Sequence, residues 1–222
     1  MKNEYDILNF TDKLILHFYK NRYLKGKAGY HPLPWLGISE SERKEGCHER
    51  LNALLEFLKI SRVGNGVVLD VGCNVGFFSL SLKEKGFCVY GADENKFFLT
   101  VADIIGRSIK KGNFLPINIS VDKKVVEFLP PADICLCLSI WHHWVKKQGL
   151  TNATAILKSL FKKTRKILFF ETSKPRAIND FSVKKYLVKT LNTNHIFRLG
   201  ESIPPETSPQ KVDIRELFAV IK

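Results

Sequence analysis

Five short apolar runs, interleaved with segments of helical spacing, leave this chain few architectures. They are Val67–Val71, Cys88–Ala92 ending at Asp93, Leu115–Val121, Asp133–Ile140, and Ile167–Phe170 ending at Glu171. A nearly unbroken apolar run bounded by turn residues marks a strand covered on both faces, as in a parallel sheet. Between the runs, Phe77–Lys85, Phe97–Ile109 and Thr151–Lys163 carry apolar residues at helical intervals, and Gly86 is placed to end the first of these helices. The alternation predicts an α/β fold, with an open, mostly parallel sheet flanked by helices. Two late strand-like runs, His195–Leu199 and Leu217–Ile221, are separated by a Pro-rich loop at 203–209. Joined without a helix, they are expected to pair antiparallel. Ahead of the first run, Phe10–Tyr23 and Glu49–Leu58 read as amphipathic helices, so residues 1–60 form a helical extension or cap and residues 61–222 the main domain.

Bulk properties narrow the function. The 222 residues suit one domain, and Lys and Arg exceed Asp and Glu by 13 charges. Such a surface either favours anionic partners or serves only for solubility. Five cysteines at 47, 73, 88, 135 and 137 form no CxxC pair. They fit neither a disulfide framework nor a zinc site, and no metal is expected. A cytoplasmic location is the expectation, with no signal-peptide pattern near residue 1 and no membrane span.

The most specific segment is Val68-Leu69-Asp70-Val71-Gly72-Cys73-Asn74-Val75-Gly76-Phe77-Phe78, between the first buried strand and its helix. Ligands of open α/β sheets bind at the carboxyl ends of the strands, where glycines let the backbone approach closely. The order D-x-G-x-N-x-G puts a carboxylate ahead of the turn. That suits a cationic amino-acid tail better than a pyrophosphate. Asp93 ends the second strand about 20 residues on, where a carboxylate can accept from both hydroxyls of a ribose. Glu94 is either its competitor or a solvated charge at a helix start.

These residues resemble the first motif of the class I, Rossmann-like methyltransferases, with Asn74 in place of the middle glycine; Asn accepts left-handed backbone geometry. The likeness extends from about Glu49 to the C-terminus. It implies seven strands with the last inserted antiparallel, Gly200-Glu201-Ser202 lying on the sixth and Arg215-Glu216-Leu217-Phe218 on the seventh. It also implies S-adenosylmethionine as cofactor and S-adenosylhomocysteine as product, held by Asp70, Gly72, Cys73, Asn74, Gly76, Phe77 and Asp93. Ser120 and Val121, ending the third strand, fall where the family meets adenine. Arg50, on the helix before the loop, either pairs with the cofactor's carboxylate or lies in solvent.

The fourth strand leads into Ser139-Ile140-Trp141-His142-His143-Trp144. This block resembles an S-x-x-H-H stretch in which the first residues, Ser139 here, line the cofactor pocket. His142 and His143 are candidates for proton transfer, or else they pack and cap. The tryptophans offer flat apolar walls to an acceptor or to adenine. Glu171 either orients the acceptor or a histidine, or caps a loop. In the irregular N-terminal part, Tyr30, His31, Trp35 and Arg43 either form an acceptor lid or merely cover the sheet.

Motifs for adenine amino-methylation and for 5-cytosine methylation are missing, and the absent G-x-G-x-x-G disfavours a nicotinamide oxidoreductase. The expected activity is methyl transfer to an oxygen or nitrogen, with a small molecule or glycan intermediate slightly favoured as acceptor. Methylation of tRNA or rRNA is the alternative, drawing on Lys2, Lys13, Lys20, Arg22, Lys25 and Lys27. A non-catalytic cofactor-binding relative is the third reading. Neither the acceptor nor the oligomeric state is encoded in a recognisable motif.

Overall fold

The computed structural model of the chain describes residues 8–24, 31–39, 46–173, 182–202 and 215–222. Tyr30, Arg43, Lys2, Lys25, Lys27 and the 203–209 loop lie outside the described residues. The elements run α1 (Phe10–Leu24), α2 (Cys47–Ile60), β1 (Val67–Val71), α3 (Phe77–Glu84), β2 (Cys88–Asp93), α4 (Lys96–Ser108), β3 (Asn113–Asn118), β4 (Ala132–Leu138), α5 (Trp141–Lys163), β5 (Thr164–Thr172), α6 (Val183–Leu191), β6 (Ile196–Ser202) and β7 (Arg215–Ile221).

The strands form one seven-stranded sheet in the order β3-β2-β1-β4-β5-β7-β6. Strands β1 to β5 are mutually parallel, and β7 runs antiparallel to both β5 and β6. The expected class and the antiparallel last strand are both present. Pro116 lies in β3, at the sheet edge, where a residue without an N–H is tolerated.

Alternate strand residues feed opposite layers. Leu69, Cys135, Cys137, Phe170 and Phe218 pack with Trp141, Ile156 and Leu187 from α5 and α6. Val68, Ile134, Leu136 and Phe169 pack with Leu54 and Leu58 of α2 and with Phe77, Phe78 and Leu82 of α3. This two-sided burial explains the unbroken apolar runs. Each such large side chain contributes about 1.5–3 kcal/mol when fully buried. A third cluster joins Leu16 and Tyr19 of α1 to Val101, Ile104 and Ile105 of α4. No helix among the described residues is long and apolar enough to cross a membrane.

Several boundaries differ from the sequence reading; β5, for one, begins at Thr164 rather than Ile167. β3 and β4 begin earlier and end earlier, leaving Ser120, Val121, Ser139 and Ile140 in the loops beyond their strands. α5 starts at Trp141 rather than Thr151; its two pieces meet at Gly149, which has φ 82° and ψ 160°. The stretch between β5 and β6 holds α6, which the sequence reading missed. Ser182 caps it by accepting from the Lys185 N–H, and Val183, Leu187 and Leu191 bury one face.

Candidate cofactor site

The loop joining β1 to α3 alternates left-handed residues: Gly72, Asn74 and Gly76 have φ of 79°, 54° and 83°. A side chain at Gly72 would be strained by this φ and would meet Ile140 at 3.0 Å. The turn is fastened to β2, because Gly72 N–H and Cys73 N–H both donate to the Ala92 carbonyl, at 2.8 and 3.1 Å. Asn74 takes the left-handed role expected of it, and its Oδ1 accepts from the Val75 N–H. Its own N–H donates to Asp93 Oδ2 at 2.8 Å, while Asp93 Oδ1 accepts from the Asn95 N–H. Asp93 is thus aimed by two backbone amides, with lone pairs remaining for a ligand. Phe77 sends its ring into the core beside Phe78 and His48, leaving its place at the start of α3 as its link to the loop.

Two hollows meet at Gly72. The first is a small recess lined by His31, Arg50, Asp70, Cys73, Phe78 and Ser139. Arg50 is buried, not solvated. Its Nη1 donates to Glu171 Oε2 at 2.6 Å, its Nη2 to Cys47 Sγ at 3.1 Å, and its guanidinium lies 5.3 Å from the Phe78 ring centre. Burial alone would lower the Arg50 pKa, but Glu171 and Cys47 outweigh it and hold the charge on. Nε of Arg50 has no partner among the described residues. Glu171 Oε2 also accepts from Ser139 Oγ at 2.7 Å, and Arg215 Nη1 donates to the same hydroxyl at 3.2 Å. Glu171 therefore contacts Arg50 and Ser139. Ser139 takes the left-handed φ of 55° with its carboxylate and guanidinium neighbours around it.

Asp70 is buried and accepts from Ser79 Oγ at 2.6 Å. Burial pushes its carboxyl up to about 7, against the lowering effect of the Ser79 hydroxyl; Asp93 adds to the rise. The Cys73 thiol is raised by burial and by Asp70 and Asp93, so it stays protonated.

The second hollow is a cleft of about 530 Å³ between the ends of β2 and β3 and the first turns of α5. Gly72, Asp93, Glu94, Ser120, Val121, His143, Trp144 and Lys147 lie along it. Its size falls in the range of small-ligand sites. Glu94 is engaged at the rim: its Oε2 accepts from Ser120 Oγ at 2.7 Å and Lys147 Nζ at 3.1 Å. Those two hydrogen bonds hold its pKa down.

The histidines separate. His143 lines the cleft, whereas His142 turns back to Thr172, with Nδ1 3.2 Å from Oγ1. Burial, His143 and Arg215 lower the His142 pKa to about 3, so the ring is neutral near pH 7. Trp141 is a core residue against Phe170 and Tyr186, and Trp144 alone of this pair borders the cleft. Of the N-terminal candidates, His31 lines the recess, and Trp35 packs against the α1–α4 cluster. Sequence reasoning missed Arg215, Thr172, Ile140 and Lys147. Lys147 had a readable signal, six residues into the helix that opens with the Trp-His-His-Trp block; Arg215 had none.

Comparison with known proteins bears on the fold. No family model matches the chain. The O-antigen chain terminator bifunctional methyltransferase/kinase WbdD of Escherichia coli is 28% identical over 137 residues, covering 58% of this chain and 19% of that protein. The chain thus spans about a fifth of that relative's length. A solved structure of WbdD matches with TM-score 0.65 at 22% identity, covering 87% of this chain and 42% of that one. Magnesium protoporphyrin IX methyltransferase of Synechocystis PCC 6803, solved with bound S-adenosylmethionine, matches along nearly the whole of both chains, 96% and 99%, with TM-score 0.59 at 15% identity. The fold is that of the class I methyltransferases. TehB of Haemophilus influenzae shares it, with TM-score 0.58 at 15% identity, covering 77% of this chain and 62% of that one.

Proposed function

We propose that the chain is an S-adenosylmethionine-dependent methyltransferase. One observation carries the reading: a charged, buried recess and an open cleft of nucleoside size meet at a glycine whose turn no larger residue fits. An amino-acid carboxylate finds Arg50, and its ammonium finds Asp70. A ribose finds Asp93, with Glu94 as neighbour, and an adenine finds Ser120, Val121 and Trp144. Gly72, Cys73, Asn74, Gly76 and Phe77 shape the turn between, and Ser139 closes the recess. The cofactor, when bound, supplies an electrophilic methyl group on a sulfonium. The protein's task is then alignment, which for a good nucleophile provides most of the acceleration. His143 is the group placed to take the acceptor's proton at the cleft. His142, neutral and turned to Thr172, acts as a support for β5, and Glu171 holds Arg50 and Ser139 in position.

The acceptor in this reading is a small molecule or glycan intermediate, presented to a compact cleft walled by His143 and Trp144. The name of the WbdD relative, an O-antigen chain terminator, supports the glycan class. The net charge of +13 supports RNA instead. A salt-sensitive gel shift of labelled RNA would favour RNA, and its absence at low salt removes that class. A cytoplasmic location suits five cysteines that are all unpaired thiols.

Calorimetric titration with S-adenosylhomocysteine tests the central reading. Saturable binding by the wild type, weakened at least about tenfold in Asp93→Ala and Gly72→Val, is expected. A folded wild type that binds nothing leaves a non-catalytic relative as the better answer.

A further inference from the structure

The outward side of α1 carries Phe10, Leu14 and Phe18, one turn apart and 82%, 55% and 51% exposed. The inward side is fixed. Leu16 and Tyr19 are buried against α4, and Asp12 accepts two hydrogen bonds from Arg107, at 3.0 and 2.8 Å. That double contact sets the rotation of the helix, so the stripe cannot roll under cover. At about 100° per residue, the hydrogen-bonded pair His17 and Asn21 falls within the stripe; three cations flank it, Lys13 and Lys20 on one side and Arg22 on the other. All three are exposed. Asp12 is the sole acidic residue of α1, and Arg107 already holds it.

A largely apolar stripe held in water is unfavourable; Phe18 covers part of its ring edge-on against Phe97, while Phe10 stays 82% exposed. Two aromatic residues and a leucine between basic flanks have the form of an interfacial helix: rings at the acyl boundary, ammonium and guanidinium groups against phosphates. We propose that α1 docks the protein on an anionic lipid surface. Phe10, Leu14 and Phe18 enter the apolar boundary, and Lys13, Lys20 and Arg22 meet the headgroups. A second copy of the chain is a poorer occupant. A two-fold contact would bring the same cations of two molecules, each with a charge of +13, face to face without an acid on α1 to pair them. None of the six residues lines the recess or the cleft, so the inference stands apart from the cofactor reading.

The test is sedimentation of the 222-residue chain with vesicles of phosphatidylcholine alone and of phosphatidylcholine mixed with phosphatidylglycerol, at low and high salt. The protein is expected to sediment with the anionic vesicles, less so as salt rises. Phe10→Ser/Leu14→Ser is expected to weaken that binding about tenfold or more. Lys13→Gln/Lys20→Gln/Arg22→Gln is expected to abolish the preference for anionic lipid. Both variants should keep the wild-type melting temperature and S-adenosylhomocysteine response. Phe10→Ser alone, at the most exposed position, should shift binding in the same direction should the double variant misfold. Failure to sediment with anionic vesicles overturns the proposal, as does undiminished binding by the serine variants. A dimer that those variants convert to monomer assigns the stripe to a second copy instead.

Discussion

The recess and the cleft lie side by side and are built on opposite principles. In the recess, Arg50, Glu171, Ser139 and Arg215 are all buried and bonded to one another across sequence separations of 121, 32 and 76 residues. At the cleft rim, Glu94 and Lys147 meet at 3.1 Å while each is more than half exposed. Removing one partner from a desolvated ion pair strands a charge away from water, whereas an exposed pair loses little more than it gives up to solvent. Losing one partner in the recess therefore costs the fold far more than losing one at the rim.

Glu171→Ala is the hardest test of that contrast. It leaves the Arg50 guanidinium buried without its carboxylate, and a loss of about 3–5 kcal/mol is expected in urea unfolding. Glu171→Gln, which keeps the shape and an acceptor oxygen, should lose less. A cost near that of a surface change would erase the distinction.

A middle-sized effect is expected at Asp70. Its folded pKa is raised from 3.8 to about 7, so the folded protein holds a proton that the unfolded chain has released. The associated stability is complete below about pH 3.8 and is lost as pH rises through about 7. In thermal melts across that window, wild type should decline relative to Asp70→Asn, with the difference levelling off above it. An ammonium bound beside Asp70 favours the carboxylate. Binding of S-adenosylhomocysteine below pH 7 should then release a proton, seen by calorimetry in buffers of different ionisation enthalpy. A pH-independent difference between wild type and Asp70→Asn would show that the carboxylate is not desolvated.

The smallest effect belongs to the rim. Lys147→Ala should change stability by less than about 1 kcal/mol, and that change should vanish in high salt. Should it match Glu171→Ala, the cleft would be as structural as the recess.

The same contrast governs what could be read from the chain. β1, β2 and β5 were visible because burial on two faces writes an unbroken apolar run into neighbouring residues, and the turn after β1 because its left-handed positions demand Gly or Asn. α6 was missed although Ser182, Val183, Leu187 and Leu191 spelled out a cap and a face. The start of α5 was missed because Ser139 and Ile140 extend the apolar run of β4 past its end. The role of Glu171 was beyond local reading altogether. Its partner Arg50 is 121 residues away, and only the stacking of α2 against the sheet brings the two together. Short-range spacing encodes turns and strands; it does not encode which distant charge will share a buried space.

The break in α5 carries a last consequence. At Gly149 nothing lies within 4 Å of where a Cβ would stand, yet φ 82° and ψ 160° belong to a region that L-residues avoid. The position is restricted by handedness and not by room. In a chemically synthesised chain, D-alanine there would keep the bend and stiffen it, while L-alanine, with the same atoms, would oppose it. The lip of the cleft thus turns on a single stereochemical choice, made at the one residue of the bend that has no stereocentre.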